Sequence, residues 1–474
     1  MSEQIRADLC IIGAGSGGLS VAAGAAQLGA RVVLIEKAHM GGDCLNVGCV
    51  PSKALIAAAR RAHNMRTSAP FGIVPVTPAV NPSAVRDHVH SVIAAIAPND
   101  SVERFTGLGV EVIQGTGRFK DRRTVVVGDR EIAARRFVIA TGSSPAVPPI
   151  PGLDRVPFFT NETIFNNHRH LERLIVIGGG PIGLELAQAH LRLGSAVTVL
   201  EAFKAMGKDD PELSAVVLER LRGEGLQILD GVKIEKVERA GQGVRVTIAG
   251  PGGPATLEGS DLLVAAGRKP NIADLNLEAA GIKAEPRGIK VNAGLVTSNR
   301  RVFAIGDVIG GLQFTHVANY HAGIVVRRAL FRLPARVDND LVPWVTFTDP
   351  ELAHVGLSEE TARSRKLEFG VLRWSLHEND RAQAERATDG LIKVIVTKKG
   401  KILGASIVGA HAGELIQMWS LAVSQGLDIK AMAQYISPYP TLGEIGKRAA
   451  GSYFMPKLTS PLVRKTVQFL SRFG

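Results

Sequence analysis

Residues 8–36 read DLCIIGAGSGGLSVAAGAAQLGARVVLIE, and residues 173–201 read RLIVIGGGPIGLELAQAHLRLGSAVTVLE. The offset between them stays constant at 165 residues: Gly13 matches Gly178, Gly15 matches Gly180, Gly18 matches Gly183, Gly29 matches Gly194 and Glu36 matches Glu201. Chance does not readily hold register over such a length. Each copy predicts a β-branched strand, a glycine-rich turn, an Ala/Leu-rich helix and a second strand closed by an acid, which is the βαβ unit that binds a dinucleotide. The glycines let the backbone approach a pyrophosphate, the helix N-terminus offers free N–H donors, and the closing Glu accepts hydrogen bonds from an adenosine ribose. One such pattern alone is also compatible with an ordinary glycine turn; two in matched context point to two nucleotide sites.

Two further strands run into glycine turns, RRFVIATGSSP at 135–145 and DLLVAAGRKPN at 261–271, and VFAIGDV at 302–308 places Asp307 just past a strand, where a carboxylate could meet a sugar-alcohol chain. The Pro-rich PAVPPIPG at 145–152 reads as a linker. From about Val342 the pattern changes to strand-rich segments (LIKVIVTK, ILGASIVG) with helices such as GELIQMWSLAVSQ. The expected fold class is α/β, with two Rossmann-like dinucleotide-binding domains and a C-terminal α+β domain. The expected division is 1–155 with 273–340, then 156–272, then 341–474.

A chain of 474 residues exceeds the roughly 250 to 300 that one hydrophobic core serves. Apolar content of 45% and 52 glycines suit a globular enzyme rich in βα turns. The net charge of +12 raises the question of a nucleic-acid partner. The cations come as scattered pairs such as Arg60-Arg61 and Arg300-Arg301 without interleaved aromatics, so a solvated basic surface is expected and no nucleic acid. Three cysteines exclude a disulfide-stapled secreted scaffold, no basic-then-apolar leader opens the chain, and no apolar run reaches the roughly 18 residues of a spanning helix. A cytoplasmic location is expected.

Directly after the first βαβ unit stands GGDCLNVGCVPSK, with Cys44 and Cys49 separated by four residues. A zinc site would need about four ligands, and only Cys10, in the first strand and read as a buried thiol, remains; no metal site is expected. The other open reading is two unrelated packed cysteines. A regular helix holds residues five apart beyond the roughly 7 Å Cα limit of a disulfide, so this pair bridges only where the backbone leaves the helix. Gly41, Gly42 and Gly48 give that freedom. Pro51 suits the first turn of a following helix, whose N-terminal field favours a thiolate, while Asp43 opposes it.

At these residues the chain resembles the pyridine nucleotide-disulfide oxidoreductases, which include dihydrolipoamide dehydrogenase, glutathione reductase and mercuric reductase. The resemblance rests on both fingerprints, CLNVGCVPSK, the ATG turn, AIGD, TFTDPELAHVG at 346–356 and YPTLGE, and so covers nearly the whole chain. It implies FAD on the first unit and NAD(P) on the second, with 341–474 as a dimerisation domain. Cys49 is then the flavin-proximal thiolate and Cys44 the interchange thiol. Lys53 and Glu185 resemble an ion pair near the reactive flavin nitrogen, a reading that their placement inside the motifs favours over a helix-surface Lys and a core-edge Glu. The implied FAD set is Gly13, Gly15, Gly18, Glu36, Gly42, Lys53, Gly117, Thr141, Gly142, Asp307 and backbone at Thr315 and His316. The implied NAD(P) set is Gly178, Gly180, Gly183, Glu201 and Gly267. Because Glu201 binds a 2′-hydroxyl and repels a 2′-phosphate, and only Lys204 is near, NADH is expected over NADPH.

One position departs from the family. Relatives that reduce disulfides carry His-Pro near the C-terminus, followed by a Glu that orients the His; here the text is Tyr439-Pro440-Thr441-Leu442-Gly443-Glu444. Tyrosine, with a reference pKa of about 10, does not shuttle protons at pH 7 as His does. The family pattern sets this segment over the redox cysteines of the partner subunit, so a homodimer with shared active sites is expected, and His411 reads as a packing or interface residue. The expected activity is NAD(P)H-dependent, dihydrolipoamide dehydrogenase-like electron transfer to a small-molecule or protein disulfide. The alternatives are soft-metal reduction of the mercuric type, although VRKTVQFLSRFG lacks the vicinal cysteines of that enzyme, and a redox-sensing or membrane-recruited flavoprotein. In the tail, 457–474, Leu462, Val463, Thr466, Val467, Leu470 and Phe473 share one side of a helix, with Arg464, Lys465, Gln468 and Arg472 elsewhere. That pattern fits either a helix docked on the protein body or one lying on anionic lipid.

Overall fold

The structure, a computed structural model, describes residues 3–473; Met1, Ser2 and Gly474, the outermost residues of the expected first and last segments, lie outside them. The described chain forms two compact units, one reaching Ala202 and including Ile228–Val337, the other made of Phe203–Gln227 and the residues from Asp338 onward.

In the first unit, strand Glu3–Ile12 pairs in parallel with Val32–Glu36 on one side and Arg130–Ile139 on the other; Val110–Gln114 and Val302–Ala304 extend the sheet, also in parallel. Val32–Glu36 is buried along its whole length, as a strand covered on both faces must be. Helix Ser16–Gln27 lays Leu19, Val21, Ala22 and Ala25 into the core beside Leu9, Ile11 and Leu34. The second copy repeats the plan: Arg173–Ile177 pairs in parallel with Ala196–Glu201 and Asp261–Val264, joined by helix Pro181–Arg192. An antiparallel meander, Lys233–Ala240, Gly243–Gly250 and Gly253–Gly259, follows. Both expected βαβ units are present; the first opens at Glu3, five residues before the expected start at Asp8, and both close at the expected Glu36 and Glu201.

The second unit is an antiparallel sheet in the order Trp344–Thr346, Glu351–Gly356, Ile402–Gly409, Leu391–Thr397, Phe369–Ser375. Helices Ala412–Ser424 and Glu444–Ser452 bury Ile416, Trp419 and Ile445 against Val355, Ile392 and Ile407. Helix Pro211–Gly223, which the sequence division assigns to the second nucleotide segment, groups with this unit. Its N-terminal end is held there by ion pairs, and its apolar face (Leu213, Val217, Leu218, Leu221) is buried: the buried Lys393 ammonium lies 2.7 Å from Asp210, 3.2 Å from Glu212 and 2.7 Å from Glu359, and Arg373 meets Glu212 at 2.9 Å. A buried cation is tolerable only when so surrounded. Among the described residues, no helix is long and apolar enough to cross a membrane.

Candidate functional site

The two glycine-rich turns are stereochemical copies. Gly13 and Gly178 hold φ of +103° and +115°, and the first residue before each helix, Gly15 or Gly180, is extended and offers no side-chain cap. A Cβ on Gly18 would stand 1.8 Å from the Gly13 carbonyl oxygen, and one on Gly183 2.0 Å from that of Gly178. Each turn also donates to the acid that closes its unit: Ala14 N–H to Glu36 Oε2 at 2.6 Å, and Gly179 N–H to Glu201 Oε2 at 2.8 Å. The uncapped helix ends leave N–H groups aimed outward, the donor arrangement a pyrophosphate requires.

The cysteine segment is tied to the first turn. Gly41 N–H donates to Ala14 O at 2.9 Å, Gly41 bridges to Gly15, and a Cβ on Gly42 would lie 2.7 Å from Gly15 Cα, an approach only glycine permits. Cys44 sits in the short helix Gly42–Asn46 and Cys49 is the first residue of Cys49–Arg66, with the helical path broken at Val47 and Gly48 between them. This is the backbone departure that a bridge between them needs, and Pro51 falls in the first turn of the second helix as expected. Cys49 Sγ lies 3.4 Å from Thr315 Oγ1, at the start of helix Thr315–Ala329.

The thiols are strongly unlike. A hydrogen bond from the Cys44 thiol, helped by Thr315 and the Lys53 charge, brings Cys49 down to about 6, against desolvation and the Asp43 carboxylate. The same hydrogen bond, with burial, pushes Cys44 well above the ordinary thiol range. Lys53, one helical turn beyond Cys49, pairs with the buried Glu185 at 2.9 Å.

Asp307 follows strand Val302–Ala304; burial raises its carboxyl pKa, and Ser143 donates to it at 2.6 Å. Gly306 N–H donates to His321 Nδ1. Thr141 donates to Asn271 O at 2.7 Å, Gly142 takes φ +66°, Gly117 is packed against Ile12 and Ile35, and Gly267 takes φ +122°. The His316 ring stacks on Phe314. In the first unit Gly13, Gly15, Gly18, Glu36 and Gly42 meet at one turn, Cys44 and Cys49 follow it, Thr315 touches Cys49, and Lys53, one helical turn on, pairs with Glu185.

Tyr439 and Glu444 lie in the second unit. The exposed Tyr439 hydroxyl donates to Asp380 Oδ2 at 2.8 Å, which raises its pKa; Glu444 opens helix Glu444–Ser452 and adds only its field. His411 is exposed, with φ +58°, at the start of Ala412–Ser424. Sequence reasoning missed two residues. Asp380 gives no signal in HENDRAQ. Arg268 follows the AAG turn and meets Asp43 at 3.0 Å, Asp307 at 3.7 Å and Ser143 Oγ at 2.7 Å. Its place directly after Gly267, at the mouth of a nucleotide fold, was the available clue. Among the described residues no cluster of three or more His, Cys, Asp or Glu is placed to hold a metal ion.

Comparison with known proteins matches residues 7–322 to the family described as pyridine nucleotide-disulphide oxidoreductase and residues 342–450 to its dimerisation domain. Mercuric reductase of Staphylococcus aureus is 36% identical over 447 residues, covering 94% of this chain and 82% of that one. Dihydrolipoyl dehydrogenase of Geobacillus stearothermophilus is 36% identical over 455 residues, covering 94% and 96%. The Cu(II) complex of the HOCl-induced flavoprotein disulfide reductase RclA from Escherichia coli superposes with a TM-score of 0.84 at 28% identity, covering 94% of this chain and 99% of that one.

Proposed function

Because the chain belongs to the pyridine nucleotide-disulphide oxidoreductases, FAD-dependent enzymes that use a pyridine nucleotide, we propose that it passes electrons from NADH through FAD to the Cys44–Cys49 pair and on to an acceptor at Cys44. The observation that carries this reading is the placement of Cys44 and Cys49 on either side of a break in the helical path that is tied to the first glycine turn, with Thr315 Oγ1 3.4 Å from Cys49 and the Lys53–Glu185 pair one turn beyond it. Bound FAD supplies a two-electron carrier between nicotinamide and disulfide. The residues fit such a group: Gly13, Gly15, Gly18 and Gly42 leave room for a pyrophosphate at an uncapped helix end, and Glu36 keeps lone pairs for a ribose. Asp307 would hold the ribityl chain, Thr315 and His316 backbone the pyrimidine edge, with Gly117, Thr141, Gly142 and Lys53 completing the set. Gly178, Gly180, Gly183, Gly267 and Glu201 would hold NADH, Glu201 favouring the free 2′-hydroxyl.

When an electron pair enters the Cys44–Cys49 disulfide, the S–S bond breaks, Cys49 keeps its negative charge and Cys44 takes one proton. The low value of Cys49 and the raised one of Cys44 favour that distribution. Onward transfer to a disulfide acceptor then needs the Cys44 proton removed. The Tyr439 hydroxyl, held protonated by Asp380, is a poor base for it. A disulfide of the dihydrolipoamide type is the first acceptor class. A soft metal ion, taken directly by thiolates, is the second, and the Tyr439–Asp380 hydrogen bond favours it; relatives with this overall sequence include mercuric reductases. We also place the active site in a homodimer, shared between subunits.

An anaerobic NADH titration followed by an acceptor panel tests the proposal. Two electrons should produce a long-wavelength absorbance band that Cys49→Ala abolishes. Protein that binds no flavin, or a band unchanged by Cys49→Ala, would remove the reading. Hg(II) with excess thiol against lipoamide separates the acceptor classes, and kcat/KM favouring NADPH would reverse the nucleotide assignment.

A further inference from the structure

We infer that the C-terminal segment 457–473 lies on an anionic lipid surface. Its core is helix Pro461–Leu470, started by Ser460, whose hydroxyl accepts from Val463 N–H, and extended by a further turn through Phe473. At about 100° per residue, Leu462, Val463, Thr466, Val467, Phe469, Leu470 and Phe473 fall in one arc of roughly 160°, while Arg464, Lys465, Gln468, Ser471 and Arg472 fill the opposite one. Most of this apolar face is open: Leu462 is 76% exposed and Phe473 74%, Val467, Phe469 and Leu470 are exposed too, Val463 is half-buried, and the helix has no fully buried residue.

Charge identifies the occupant. After Glu444 the chain carries Lys447, Arg448, Lys457, Arg464, Lys465 and Arg472, and no Asp or Glu. The same segment of a second copy, equally without Asp or Glu, meets this helix with like charge, whereas an anionic bilayer meets the basic face with opposite charge and the apolar face with hydrocarbon. The segment also lies beyond both family matches, which end at 322 and 450. Ten helical residues are too few to span a bilayer and suffice to lie in its interface.

The FAD-loaded full-length protein is sedimented with vesicles of phosphatidylcholine and with vesicles in which about one third of the lipid is phosphatidylglycerol, at low salt and at about 0.5 M salt. Anionic vesicles should carry down at least about tenfold more protein than neutral ones, and high salt should reverse most of the difference. The triple variant Arg464→Gln, Lys465→Gln, Arg472→Gln should weaken partitioning about a hundredfold. The pair Phe469→Glu, Leu470→Glu should abolish it, with NADH-dependent turnover unchanged in both. Full-length protein that stays in the supernatant with both vesicles, or apolar-face variants that bind as before, would overturn the inference. So would a dimer that falls to monomer when the chain is ended at Thr459, since the face would then be covered by a second copy.

Discussion

Cys49 receives a hydrogen bond from the neighbouring thiol and stands one turn before the Lys53 ammonium, and these interactions outweigh desolvation and Asp43 to bring it to about 6. A depressed value means that the ionised thiol stabilises the fold of the reduced protein fully above the ordinary thiol value of 9.0 and ceases to do so as pH falls through about 6. The pH profile of Cys49 alkylation in the reduced protein should therefore show a midpoint near 6. Cys44→Ala, by deleting the hydrogen-bond donor, should move it upward by on the order of one unit or more. An unmoved midpoint would show that the neighbouring sulfur is not the cause. Arg268 acts one step further out, because it neutralises Asp43, whose charge opposes the thiolate. Tyr439 is the opposite case, a hydroxyl that Asp380 keeps protonated. Tyr439→His should restore a group titrating near 6.5 and raise kcat/KM for NAD-dependent dihydrolipoamide oxidation about 100-fold or more. A variant no faster than the parent would mean that this side chain does not stand at the proton-transfer position.

Element by element, the glycine turns were readable in advance because their cause is local. Gly18 faces the Gly13 carbonyl at a distance set by the turn itself, and Gly183 repeats it against Gly178, so the same spacing had to appear twice in the sequence. The atom in the way is main chain and cannot swing aside. Gly18→Ala should therefore yield colourless protein, while Gly183→Ala should retain flavin and lose its reduction by NADH; flavin absorbance with and without NADH reads both. A yellow Gly18→Ala protein reducible at the parental rate would contradict the pyrophosphate cradle. The break between Gly42–Asn46 and Cys49–Arg66 was legible for the same reason, since Gly48 and Pro51 are punctuation. The ionic network was not. Lys393, Asp210, Glu212 and Glu359 come from distant stretches with no periodicity to link them, and so the placement of helix Pro211–Gly223 beside the C-terminal sheet had no signal in the chain. Asp380 was missed on the same ground: an ion or hydroxyl partner 59 residues away leaves only an ordinary helix-start Asp to be read.

At the scale of the whole molecule, the redox pair belongs to one unit and Tyr439 to the other, and the expected meeting is across a two-fold axis rather than within a protomer. The surface around Tyr439 suits that role. Ile436 is 93% exposed and Tyr439 69%, an apolar pair that a lone protomer leaves in water, and the family's dimerisation domain covers this stretch. If the site is shared, a sulfur placed at 439 comes within bridging reach of Cys44 of the partner subunit, and a disulfide forms only when Cα atoms approach within about 7 Å. Oxidised Tyr439→Cys protein should therefore run as a covalent dimer on a non-reducing gel and revert with dithiothreitol. The band should vanish in the Tyr439→Cys, Cys44→Ala double variant. Cys10 cannot substitute, being fully buried with its thiol pushed far above the ordinary range. Oxidised Tyr439→Cys protein that remains wholly monomeric on the gel, while sedimenting as a native dimer, would place the C-terminal segment away from the thiols and leave Cys44 without any partner-supplied proton donor.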